Sequence, residues 1–154
     1  MRLSRSAALA VGVALAVSAC SSGAVPIAPP DPAGPVLERC DHLGNQVPDR
    51  LDGLRARKTQ PSSPLTFAWG SPAITLSCGV PEPAGYAPSS SAVLDVNGVR
   101  WYQQVGSSVV TWTAVRPGPA GADHVYVALR VPTHYPASAS YLTALAQPLK
   151  AALP

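Results

Sequence analysis

AVLDVNGVRWYQQ, residues 92–104, consists of two alternating runs either side of Asn97-Gly98. Asn-Gly is the preferred central pair of a type I′ turn, because both positions need positive φ. A two-residue loop then pairs Val96 with Val99 and Leu94 with Trp101. Those four apolar side chains fall on one face, with Asp95, Arg100 and Tyr102 on the other. A slip of one residue would turn every apolar group to water, so the register is strongly specified.

The same two-residue period continues on both sides of the hairpin. Gly106-Ser107-Ser108 is a turn, Val109 to Val115 a strand, and Pro117 to Asp123 a loop. His124 to Val131 alternates, with Val125, Val127, Leu129 and Val131 inward. Upstream, Leu65, Phe67 and Trp69 alternate, as do Ile74, Leu76 and Cys78, with Gly70-Ser71-Pro72 as a turn between them. Gly79 to Ser91 is a loop rich in proline and small residues.

At both ends the period becomes helical. Pro35 suits the first position of a helix; Val36, Cys40 and Leu43 recur at helical spacing, and Gly44 is a stop. A short helical turn from Pro48 would bury Leu51 and Leu54. Arg55, Arg57 and Lys58 would then be a solvated basic run at a helix end, or a contact for anionic lipid headgroups. Ser138 reads as an N-cap, with Leu142, Leu145, Leu149 and Ala152 as one stripe. Pro148 predicts a kink or restart. Together these elements predict an α+β fold, an antiparallel sheet of about five or six strands with N- and C-terminal helices packed on one face.

Residues 1–19 have the layout of a secretory signal: Arg2 and Arg5, then small and apolar residues. The run is too short for a bilayer core, which needs about 20 apolar residues. Val17-Ser18-Ala19-Cys20 resembles a bacterial lipobox, which implies a diacylglycerol on the Cys20 thiol and a mature chain beginning there. Plain secretion with a chance cysteine after the cut is the alternative. Residues 20–35, rich in proline and small side chains, read as a tether reaching roughly 45 Å when extended. Residues 36–154 are expected to form a single domain.

Removing Arg2 and Arg5 with the signal leaves nine basic and eight acidic residues. That balance offers no electrostatic footprint for nucleic acid. Cys40 and Cys78 remain for an oxidising compartment and are expected to pair, a catalytic thiol or metal pair being the alternatives. No CxxC or Cys/His cluster is present, so no metal or cofactor is expected. Nucleophilic catalysis needs a base beside the nucleophile, but GxSxG and SxxK spacings are missing. His42, His124 and His134 read as surface residues and no catalytic residue is assigned. Trp69, Trp101 and Trp112 read as core. What remains is the polar sheet face, where Arg100, Tyr102, Tyr126 and Arg130 could form an aromatic and cationic platform, or simply a solvated face.

Trp69-Gly70-Ser71-Pro72, Ser77-Cys78-Gly79-Val80, Val96-Asn97-Gly98-Val99-Arg100-Trp101, and Val125-Tyr126-Val127 with Val131-Pro132 occur in that order. With them, Cys40 to the C-terminus resembles the domain of unknown function 3515 family of actinobacterial secreted lipoproteins. The resemblance implies an exported, usually lipid-anchored protein and carries over no activity or catalytic residues. The expectation is a non-catalytic binding or scaffolding domain on the outer face of the cytoplasmic membrane, contacting cell-wall polymer or an envelope protein. An envelope hydrolase or transferase assembled from scattered residues, and a carrier for an apolar ligand, are the alternatives.

Overall fold

In the computed structural model the Asn97-Gly98 hairpin has the expected register, Val96 opposite Val99 and Leu94 opposite Trp101. Both turn residues have positive φ, 52° and 79°. The structure describes residues 23–118, 123–136 and 139–154. The expected signal 1–19, Cys20 and the expected cap Ser138 lie outside the described residues.

In chain order the elements are β1 (Val25–Pro26), α1 (Gly34–Gly44), β2 (Arg50–Leu51), β3 (Leu54–Arg57), β4 (Thr59–Gln60), β5 (Thr66–Trp69) and β6 (Ile74–Val80). They continue with β7 (Val93–Val96), β8 (Val99–Val105), β9 (Val109–Arg116), β10 (Val125–Pro132) and α2 (Ser140–Ala152). The fold is α+β. Eight strands form one antiparallel sheet in the order β2-β3-β5-β6-β10-β9-β8-β7, and β1 pairs with β4 in parallel. No helix among the described residues is long and apolar enough to cross a membrane.

The sheet is larger than the expected five or six strands because the segment after Pro48 is extended, not helical. Asp52 and Gly53 both have positive φ, 49° and 83°, and turn β2 into β3. Asp-Gly is the same turn signal as Asn-Gly, and here it overrides the helical spacing of Leu51 and Leu54. Arg55 and Arg57 therefore lie on a strand near the sheet edge rather than at a helix end.

Pro148 is a second departure. α2 runs through it without a break. Leu142, Leu145 and Leu149 are fully or almost fully buried, and burying such side chains is worth about 1.5–3 kcal/mol each, enough to outweigh one missing backbone hydrogen bond. The orphan carbonyl of Leu153 accepts from Arg116 Nε at 2.8 Å, which ties the helix end to β9.

One core joins Cys40 and Leu43 of α1 and the buried stripe of α2 to the inward rows of the strands, including Ile74, Leu76, Val99, Trp101, Val127 and Leu129. Trp69 is fully buried and its Nε1 donates to the Pro48 carbonyl at 2.9 Å. Cys40 and Cys78 form a disulfide, Cα atoms 5.6 Å apart, that fixes α1 to β6.

The stretch read as a tether departs most from its expectation. Val25 N–H donates to the Lys58 carbonyl at 2.8 Å, and Ile27 N–H to that of Gln60 at 3.0 Å. Arg57 Nη2 donates to the Gly23 carbonyl at 2.6 Å. Pro32 sits over Gly79, where a Cβ would fall 2.5 Å from its Cγ. Proline-rich composition predicts stiffness, and here a stiff segment lies along a surface, since ordering it costs little further entropy.

The bridge spans 38 residues of sequence, and closing such a loop constrains the unfolded chain by about 4 kcal/mol. A Cys40→Ala/Cys78→Ala double variant is therefore expected to lose about that much in urea unfolding; an unchanged midpoint would show that the bridge does not hold the fold.

Candidate functional site

Along each strand the residues between the inward ones point to the opposite face. The ladder registers align them: Arg100 with Val115 and Tyr126, Tyr102 with Thr113 and Ala128, Gln104 with Thr111 and Arg130. All four residues of the expected platform, Arg100, Tyr102, Tyr126 and Arg130, thus share that face. They do not make one open surface.

The loop after β6 folds back over one end of the face. The ring of Tyr86 meets Tyr102 edge-on at 5.6 Å and Tyr126 edge-on at 6.3 Å, the geometry aromatic quadrupoles favour. Gln104 Nε2 donates to the Ala84 carbonyl at 3.3 Å, and the Tyr126 hydroxyl donates to the Glu82 carboxylate. Thr113, an outward residue in the middle of the sheet, is only 2% exposed. The two tyrosine rings are thus engaged within the molecule.

Neither arginine is covered. Arg100 and Arg130 are exposed, and neither side chain makes a hydrogen bond or ion pair with another described residue. Arg130 lies four residues along β10 from Tyr126, which is aligned with Arg100. That is about 13 Å of strand, so the two cations serve different neighbourhoods.

Arg130 borders a groove of about 590 Å³. Its floor is Thr75, Ser77, Thr111 and Ala128, and one wall is the docked segment Pro26–Pro30. Hydroxyls, a free guanidinium and proline rings can hydrogen-bond, pair with an anion and pack against an apolar ring face.

The remaining candidates lie elsewhere. His42, His124 and His134 are all exposed. His124 stacks on Tyr126 with ring centroids 6.1 Å apart, and His134 meets the neighbouring Tyr135 edge-on. A second cavity, of about 790 Å³, opens at the helix ends beside Arg39, His42, Gln46 and Ala152. Deeper between the helices and the sheet, Leu43, Leu145 and Leu149 are fully buried. Trp69 and Trp101 are core, while Trp112 is only partly buried.

Two contributors to the face have no counterpart in the sequence reading: the cover built from Glu82 and Tyr86, and the wall built from Pro26–Pro30. A single tyrosine inside a proline- and serine-rich loop was the available signal for the first, since an isolated aromatic commonly anchors a loop to a surface. Nothing in the composition of the second marks where it docks.

Burial and, after it, the hydrogen bond to Glu82 hold the Tyr126 phenol well above the ordinary tyrosine range, about 10. The folded state therefore keeps this proton more tightly. Its contribution to stability is intact below about pH 10 and is lost as pH rises past that value. Carbon-13 titration of labelled tyrosine should show Tyr126 titrating late, beside Tyr141, whose phenol burial also raises. Glu82→Gln should bring Tyr126 part of the way down, because burial persists, and leave Tyr141 where it is, whereas a normal titration of Tyr126 would contradict the cover.

A family model described as "Protein of unknown function (DUF3515)" matches residues 4–154. No curated protein and no solved structure matches the chain.

Proposed function

The chain belongs to the DUF3515 family, and from that premise we propose that it is a lipid-anchored, non-catalytic binding domain on the outer face of the cytoplasmic membrane. In this reading Cys20 carries the lipid, both helices cover one face of the sheet, and the opposite face takes the partner. The exposed Arg130 guanidinium beside a floor of hydroxyls carries the proposal.

An arginine fork suits carboxylate or phosphate, and threonine and serine hydroxyls suit a polyhydroxylated chain. Cell-wall polymer offers both chemistries; an envelope protein with an acidic segment offers only the first. Arg100, with Asp95 opposite it in the hairpin, is a separate second contact for a long ligand.

Purified protein applied to cell-wall fractions tests the reading. A charge-assisted hydrogen bond contributes about 1.5–3 kcal/mol, so Arg130→Ala is expected to lower retention about tenfold or more. Arg100→Ala/Tyr126→Ala should weaken it less, since Tyr126 is occupied by Glu82 and Tyr86. Equal retention of wild type and Arg130→Ala, or no retention of either, removes the groove as the binding site.

A further inference from the structure

The chain is fixed to the domain from Gly23 onward, by Arg57 at the Gly23 carbonyl and by the Lys58 and Gln60 carbonyls at Val25 and Ile27. Only the step from Cys20 to Gly23 is left to reach from a lipid to the fold. Three residues span at most about 11 Å, a quarter of the reach expected of a free spacer.

The sheet edge beside Gly23 is basic. Arg50 and Arg55 face each other across the β2–β3 pair. Arg57 is two residues on from Arg55 and shares its side of the strand, and Lys58 follows. Arg50, Arg55 and Lys58 are exposed, and no described acidic residue forms an ion pair with any of them. Arg50 Nη1 donates to the Gly53 carbonyl, whereas the side chain of Arg55 makes no hydrogen bond to a described residue. The nearby acidic residues in sequence are Asp49 and Asp52, and Asp52 accepts from Ser140 Oγ. Like charges placed directly opposite on a sheet repel, so the Arg50–Arg55 pair costs stability unless something anionic neutralises it.

We infer that this edge, Arg50, Arg55, Arg57 and Lys58, is a membrane-facing surface that binds anionic phospholipid headgroups. The inference rests on the lipid-anchored reading of Cys20. Its partner follows from reach and charge: a link of at most about 11 Å is of the same order as the screening length of about 8 Å, so the edge can come within the negative surface potential of the leaflet, which a spacer of roughly 45 Å would not require. Contact through this edge would set the orientation, presenting the groove at Arg130 at one attitude to the membrane.

The test uses the chain from residue 20 with Cys20→Ser, which has no anchoring thiol and keeps every described residue. At low ionic strength it should co-sediment with phosphatidylglycerol vesicles and not with phosphatidylcholine vesicles. A basic side chain near such a surface is worth about fivefold in partitioning, so Lys58→Gln should lower binding about fivefold. Arg50→Gln/Arg55→Gln/Lys58→Gln should reduce it to the phosphatidylcholine level. Lys150→Gln, on the helix that packs over β7 and β8 at the far edge, should leave it unchanged. Equal partitioning onto both vesicle types, or unaltered binding by the triple variant or by Lys58→Gln, overturns the inference. Acylation is read separately from the mass of the native N-terminal peptide, so the two ideas fail by different measurements.

Discussion

Two adjacent residues of β6 carry the packing on its two faces. Cys78 points into the core and is bonded to Cys40 of α1; Gly79, next along the strand, points the other way and has Pro32 lying on it. Gly79 has a φ of 83°, and a side chain there would strike the proline ring. A strand next to the middle of the sheet therefore holds a helix on one side and the incoming chain on the other. The first contact closes the core. The second decides where the chain's N-terminal part can lie, and through it the wall of the groove and the place where the chain leaves the domain.

Much of the architecture was legible wherever one signal had no competitor. Asn97-Gly98 fixed both the hairpin and its register, and the alternation of Val125, Val127, Leu129 and Val131 marked a half-buried strand correctly. The same chemistry at Asp52-Gly53 went unread because Leu51 and Leu54 also fit a helix, and over so short a run the two periods are hard to tell apart. α1 and α2 were readable from their apolar stripes, though the cost of Pro148 was overvalued against the burial of Leu145 and Leu149.

The outward face was legible in position and opaque in state. Alternation alone put Arg100, Tyr102, Tyr126 and Arg130 together. Whether such residues are free depends on loops, and loops carry no periodic signal. Tyr86 occupies the tyrosine rings, and Pro26–Pro30 walls the groove beside Arg130. A proline-rich segment has the same composition whether it projects into solvent or lies along a sheet, so its docking is decided by complementary features far along the chain, such as the missing side chain of Gly79 and the free carbonyls of Lys58 and Gln60.

A chain fixed from Gly23 sets both the groove wall and the distance to the lipid proposed at Cys20. Amide hydrogen exchange at Val25 and Ile27 measures that docking most directly. Their N–H groups are bonded to Lys58 and Gln60, so they should exchange as slowly as amides paired at the sheet edge. Exchange of both at the rate of an unstructured peptide would mean that the segment is free, and the account would be wrong at its root.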